Sequence, residues 1–440
     1  MKSRLVNQLC FVFFCFCFLL ASLLPAVAQQ HITLEQCIEK ALESNYSIKI
    51  IRNEQKIAEN NFNYEPFLPT LDLSAGQRQT ISDSKTTTEG TDRKVNNARS
   101  DALTAGVALN WRLFDGMEMF MTRSRYREML LIGELNTRLA IENLIVQVSS
   151  YYFDVIRQQS KLDAARHSLD LSGARYAEAR DKYMLGVLSG LEAQQAKLDL
   201  NADSSNYMKQ KELLKSAYIS LNMIMNTDLQ QDLYVQDSII LRDPLIYPQL
   251  KEKMLQYNTT LAVARRDRKV SEIDMKIARA ALFPTLDFGA GYNYSRTKSP
   301  DVTTSLNRNN GPYWGFSLGM NIFNRLEKRR KIKNARLEVE NADLSYQEVE
   351  QQLRADLAQL YNTYENNLQI VNFEQESADV AFDNLDAAIE KYKLGTLSGL
   401  EFREFQRSYI DAVDREVSAI YQAKISELSL LLISGQIVFM

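Results

Sequence analysis

The sequence predicts an α+β membrane protein built twice over, each half pairing two amphipathic β-strands with a very long helical hairpin. Three observations carry this reading. The phrase Tyr183, Leu185, Gly186, Leu188, Ser189, Gly190, Leu191, Glu192 returns as Tyr392, Leu394, Gly395, Leu397, Ser398, Gly399, Leu400, Glu401. Two other marks return in the same order: Pro69-Thr70-Leu71-Asp72 as Pro284-Thr285-Leu286-Asp287, and Leu113-Phe114-Asp115 as Ile322-Phe323-Asn324. Ordered recurrence of separate motifs is the signature of a duplicated structural unit. The third observation is a change of period within each half, from two residues to three or four.

The chain opens with Lys2 and Arg4, an apolar run from Leu9 to Leu24, and the small-residue close Ala26-Val27-Ala28. That is the pattern of a secretory signal, so residues 1–28 are expected to be removed. Cys10, Cys15 and Cys17 leave with it and none sits where a lipid-modified first residue is expected; Cys37 remains, and a single cysteine forms no internal bridge. With only His31 and His167 to supply imidazole, metal and Cys/His chemistry are poorly provided for. A formal net charge of −3 argues against nucleic acid as a partner.

From Leu34 to about Asn63 an apolar series through Ile38, Leu42, Ile48, Ile51 and Ile57 predicts a helix capped by Thr33 and ended by Pro66 and Pro69. Strict alternation comes next. Leu71, Leu73 and Ala75 oppose Asp72, Ser74 and Gly76, and after a polar loop expected over 78–101 the series Leu103, Ala105, Val107, Leu109, Trp111, Leu113 forms a second one-sided strand. The second half repeats the scheme: a helix from about Leu245 to Ala281, a break at Pro284, a strand through Leu286, Phe288, Ala290, Tyr292 and Tyr294, a polar loop over 295–311, and a strand through Phe316, Leu318, Met320 and Ile322. Segments of roughly ten residues match a tilted membrane-crossing strand, and the aromatics Trp111, Tyr292, Tyr294, Tyr313 and Trp314 suit an interfacial girdle; a soluble sheet face would show the same alternation.

Long stretches from near Met117 to Tyr183 and from near Leu326 to Tyr392 contain no proline and almost no glycine. As continuous helices they would each extend ~100 Å at ~1.5 Å per residue. Gly186 and Gly395 stop them, Ser189 and Ser398 can cap the returning helices, and Phe402, Phe405, Tyr409, Val413, Val417 and Ile420 mark one stripe of the second of these. The organisation expected is therefore a signal at 1–28, a first repeat at 29–226, a linker at 227–248 containing Asp228, Asp243 and Pro244, and a second repeat at 249–440.

No phosphate-cradling glycine loop, His pair at metal spacing or nucleophile elbow is present, so the chain is read as no enzyme, with no catalytic residue, metal or cofactor. Glu192, Glu401 and Glu404 stand apart from other carboxylates because they lie about one turn past the bends. Such a group either stabilises the helix start through its dipole, by ~0.3–1 kcal/mol, or serves whatever the bends face.

With these elements in order, the chain resembles the TolC family of outer-membrane efflux proteins across essentially all of the mature sequence. The carrying residues are the two Pro-Thr-Leu-Asp strand openings, Trp111-Arg112-Leu113-Phe114-Asp115-Gly116, and the bends Tyr183-Met184-Leu185-Gly186 and Tyr392-Lys393-Leu394-Gly395-Thr396. The resemblance implies a homotrimer in the outer membrane of a Gram-negative-type envelope. Each subunit would give four strands to one twelve-stranded barrel, continued by a periplasmic α-helical barrel, with the chain ends and the linker in an equatorial region. It implies a passive exit duct for small toxic compounds, working with a periplasmic adaptor and an inner-membrane transporter; the same duct can serve type I protein secretion. It also implies an acidic ring at the periplasmic entrance from Glu192, Glu401 and Glu404, and adaptor docking at Leu185, Gly186, Leu188, Ser189, Leu394, Gly395, Leu397 and Ser398. Leu397 stands where a basic residue of the family helps latch the closed entrance. Four strands cannot close on themselves, and sheet edges cannot face hydrocarbon, so association follows from the strand count as well. A periplasmic coiled-coil structural protein, which would lack the sheet, is the reading from another class.

Overall fold

A computed structural model describes residues 32–88, 90–231, 233–235, 238–299 and 306–437. The signal segment 1–28 and His31 lie outside these residues, as do positions 300–305 of the second polar loop. The chain divides into two compact units, one formed by residues to Ile50, Ala140–Asn258 and Leu353 onward, the other by Ile51–Leu139 and Thr259–Gln352. Each unit takes segments from both halves of the sequence.

The second of these units holds one antiparallel sheet of β1 (Thr70–Thr88), β2 (Thr91–Phe114), β3 (Thr285–Lys298) and β4 (Leu306–Gly319), in the order β1-β2-β3-β4. Register explains its two faces. Leu71 lies opposite Leu109 and Leu73 opposite Val107; Val107 and Trp111 lie opposite Tyr292 and Phe288, and Phe288 opposite Phe316. Directly paired residues project to the same side, so these apolar groups form one face while Asp72, Ser74, Asn110 and Asn293 belong to the other. Leu71, Leu73, Trp314 and Leu318 are exposed, so the apolar face is uncovered within the chain.

The first hairpin is longer than its hydrophobic pattern. Residues 78–101 are not a loop, because β1 and β2 stay paired from Ile81 with Arg99 up to Thr88 with Thr91. A bulge near Asn97, whose φ is 55°, is held by its N–H donating to Asp83 Oδ1 at 2.8 Å, and Lys85 pairs with Asp92. A strand polar on both faces has no apolar alternation to reveal it, though threonine favours the extended backbone. The last strand begins at Leu306, inside the loop expected over 295–311, where it pairs with β3 as far as Lys298, and it stops at Gly319, before Met320 and Ile322.

The helices are α1 (Leu34–Ser44), α2 (Tyr46–Asn61), α3 (Glu118–Met184), α4 (Gly190–Ile224), α5 (Tyr247–Tyr257), α6 (Thr259–Ala280), α7 (Glu327–Lys393) and α8 (Gly399–Ile433). The long helices α3 and α7 are 67 residues each, and the returning helices α4 and α8 are 35 each, so the duplication is kept in length. Among the described residues no helix is long and apolar enough to cross a membrane.

Two helices expected to be continuous are each broken at an asparagine. Asn45 parts α1 from α2 and Asn258 parts α5 from α6, both with extended ψ. Their Nδ2 atoms donate to Ile224 O at 3.0 Å and Ile433 O at 2.9 Å, the last residues of the two returning helices. A helix end leaves carbonyls without internal partners, and each break satisfies one. Around this joint the core of the first unit gathers Ile48, Val148, Tyr152, Leu221, Met225 and Leu428, with Leu233 and Val235 of the linker packed into it. Cys37 is wholly buried there, and burial pushes its thiol up to about 12.

Candidate functional site

Both hairpin bends are built by the same local chemistry. Gly186 and Gly395 each adopt φ 73°, a left-handed conformation that costs glycine little, and nothing lies within 4 Å of where a Cβ would project. The Gly186 N–H donates to Tyr183 O at 2.9 Å and Val187 N–H to Lys182 O at 2.9 Å; Gly395 and Thr396 repeat this to Tyr392 and Lys391 at 3.0 Å each. The chain then restarts at a reciprocal cap. Ser189 Oγ accepts from the Glu192 N–H at 3.3 Å while Glu192 Oε2 accepts from the Ser189 N–H at 3.2 Å, and Ser398 and Glu401 do the same at 3.3 and 3.0 Å.

The two first-turn glutamates are thus engaged through Oε2. The Ser398 hydroxyl, donating at 2.7 Å, and then its backbone N–H hold the Glu401 carboxyl below the usual carboxylate range. Glu404 is exposed one turn further along α8. Of the residues singled out at the tips, Leu185 is 79% exposed and Leu394 77% exposed. Leu188 and Leu397 are half-buried, Leu397 against the cluster of Leu385, Ala388 and Phe402. Val187, between Gly186 and Leu188, is about as exposed as the two tip leucines, and so are Met184, Leu191 and Leu400, which sequence reasoning missed and which enlarge the apolar surface.

It also missed a polar tie between the hairpins. Arg403 of α8 donates twice to Asp203 of α4, Nη1 to Oδ2 at 2.6 Å and Nη2 to Oδ1 at 2.8 Å. Gln406, with no exposed surface, donates from Nε2 to Ser168 Oγ at 2.8 Å and Ser172 Oγ at 3.0 Å, both on α3. The hydroxyls of Ser168 and Ser172 donate in turn to Asp203. Nearer the bends, Arg175 pairs with Asp199 at 2.8 Å, and the Tyr392 and Phe402 rings lie 5.0 Å apart, tilted by 35°, with Lys182 over Tyr392. The bidentate acceptor Asp203 raises the Arg403 guanidinium above its ordinary range. Polar side chains recurring at helical spacing within otherwise apolar stripes, as at Ser168 and Ser172, were the available signal.

A one-sided sheet joined to helical hairpins with identical capped bends defines the class of outer-membrane channels. The sequence profile of the family described as outer membrane efflux protein matches residues 37–227 and 250–436, and the chain belongs to that family. It is 25% identical over 368 residues to the pyoverdine export outer membrane protein OpmQ of Pseudomonas aeruginosa, covering 80% of this chain and 74% of that one. The fold is similar to the CmeC outer membrane channel of Campylobacter jejuni, with a TM-score of 0.73, 16% identity, and coverage of 92% and 85% of the two chains. It is also similar to the open state of the MtrE outer membrane channel of Neisseria gonorrhoeae, with a TM-score of 0.69, 16% identity, and coverage of 92% and 89%. The protein is accordingly located in the outer membrane.

Proposed function

We propose that the chain is the passive exit duct of a tripartite efflux system for small toxic compounds. Three copies join their four-stranded sheets into a twelve-stranded barrel, the hairpins continue it into the periplasm, a periplasmic adaptor docks on the bends, and an inner-membrane transporter supplies the energy. The observation that carries this reading is the sheet itself: among the described residues one face is uncovered and apolar, and β1 and β4 each have an unpaired edge. A family relative named for the export of a compound, pyoverdine, supports a small-molecule cargo.

In this reading the adaptor meets Leu185, Gly186, Leu188, Ser189 and Leu394, Gly395, Leu397, Ser398, while Glu192, Glu401 and Glu404 ring the entrance. Arg403 ties the second hairpin to the first, a part that Leu397 has no charge to play. The docking claim is tested by drug susceptibility in cells that depend on this duct. Leu185→Glu with Leu394→Glu alters exposed positions only, and Gly186→Trp with Gly395→Trp adds bulk in open space at the expense of a strained φ. Both pairs should abolish resistance while trimers remain in the membrane. Resistance preserved in the leucine pair rejects docking at the bends.

A further inference from the structure

We propose that a cavity at the foot of β1 binds the phosphate of an anionic phospholipid from the periplasmic leaflet, an inference that rests on the sheet being the part that spans the bilayer. The cavity, about 490 Å³, lies between the segment leading into β1 and the start of α3, and is walled by the rings of Phe62, Tyr64, Phe67 and Phe120 with Arg123 and Arg127.

The charges point to an anion. The Arg123 guanidinium lies 5.1 Å from the Phe62 ring centroid and 4.3 Å from that of Tyr64, and its buried Nε has no hydrogen-bond partner. Aromatic faces steady a cation without neutralising it. On the same turns of α3, Arg125 pairs with Asp274 at 2.8 Å and Glu128 with Arg266 at 2.9 Å. Neither Arg123 nor Arg127 has a carboxylate partner among the described residues. The Ser124 hydroxyl is committed to Phe120 O at 2.9 Å, so the two guanidinium groups carry the recognition. Planar N–H donors of this kind suit phosphate oxygens.

Position points to a lipid. Trp111 belongs to the apolar face, two residues past Leu109, which pairs with Leu71, and its indole N–H donates to Phe67 O at 2.9 Å. The cavity wall thus begins where the lipid-facing side of the sheet ends, the level at which indoles and headgroups meet. Exposed Leu68 and Leu71 beside it offer apolar surface to acyl chains.

The duplication supplies a control. Aligning Pro69 with Pro284 and Phe114 with Phe323 puts Ile277, Arg279 and Leu282 where the first copy has Phe62, Tyr64 and Phe67, and Arg329 and Ile332 where it has Phe120 and Arg123. The second copy makes the same helix-to-strand and strand-to-helix connections without the rings or the central arginine. The connection therefore does not demand them.

The test uses full-length protein reconstituted into nanodiscs of phosphatidylglycerol and phosphatidylethanolamine, re-extracted in mild detergent, with retained lipid measured by mass spectrometry. Wild type should retain phosphatidylglycerol preferentially, and Arg123→Gln with Arg127→Gln should cut that retention about fivefold or more. Arg329→Gln with Arg336→Gln, which removes equal charge from exposed positions of the second copy, should not. Equal retention in wild type and the first pair, or no preference over phosphatidylethanolamine, overturns the proposal. So does a first pair that dissociates trimers with lipid retention unchanged, since the arginines would then serve a neighbouring subunit. Wild type that fails to enter nanodiscs would sink the bilayer reading instead.

Discussion

Glu401 does two things with one carboxylate. Through Oε2 it closes the cap with Ser398, and as a charge it stands beside exposed Glu404 near the bend. Because its folded pKa is lowered by the Ser398 hydroxyl, the sign is fixed: the cap's contribution is complete above the unfolded value, ~4.3, and is lost only as pH falls through the lower folded value. If the acidic ring controls entry, divalent-cation block of single-channel conductance should persist as pH drops through the ordinary carboxylate range. Ser398→Ala should move the loss of block to higher pH, and Glu401→Ala with Glu404→Ala should weaken block at neutral pH. Unchanged block in the double variant removes the ring from the mechanism. The serine caps were legible in the sequence, as was a glutamate favoured at each helix start. That serine and glutamate would answer one another was written in their spacing too, Ser-x-x-Glu in both copies.

The hairpins are held by something periodicity does not encode. Arg403 and Asp203 are 17% and 7% exposed, so removing one partner strands a largely buried charge, a loss of ~3–5 kcal/mol. Asp203→Asn and Arg403→Gln should each speed hydrogen exchange of backbone amides in the first turns of α8. Exchange should be closer to wild type in a paired apolar replacement, Asp203→Leu with Arg403→Met, because no charge is then left unmatched. Equal exchange in wild type and both single variants would show that the Tyr392–Phe402 ring contact and apolar packing hold the hairpins without this tie. A residue pattern reports which face of a helix is buried, and so the lengths of α3 and α7 and the positions of the bends were readable. Which helices share a polar network depends on pairing residues about two hundred positions apart, as it does for Asn45 with Ile224 and Asn258 with Ile433. Asn45 and Asn258 fall inside the helices that periodicity predicts, and the partners that stop the helices there are remote in sequence.

For the molecule as a whole, the unanswered demand is the sheet. Within the described residues of one chain the apolar face has Leu73 82% exposed, and β1 and β4 each keep an edge that hydrocarbon cannot satisfy. Lipid would answer the first demand and further copies the second, since β4 of one copy can pair with β1 of the next until the ring closes, and closure removes every edge. The alternation on β2 and β3 made the apolar side of the sheet readable in the sequence, whereas the lengths of the strands were not, because the paired extension up to Thr88 and Thr91 was hidden by its polarity on both faces. If closure of this kind sets the assembly, detergent-solubilised protein should have the mass of a trimer by light scattering. Leu73→Arg should then impair barrel insertion, because a charge on a lipid-facing position costs up to ~2–4 kcal/mol in each copy and closure multiplies it by the number of copies. The bends and the returning helices α4 and α8 lie in the other compact unit and should keep their helical circular dichroism in that variant. A wild-type protein that stays monomeric and soluble without detergent would contradict closure outright. Leu73→Arg trimers inserting as well as wild type would show instead that this face meets something other than lipid.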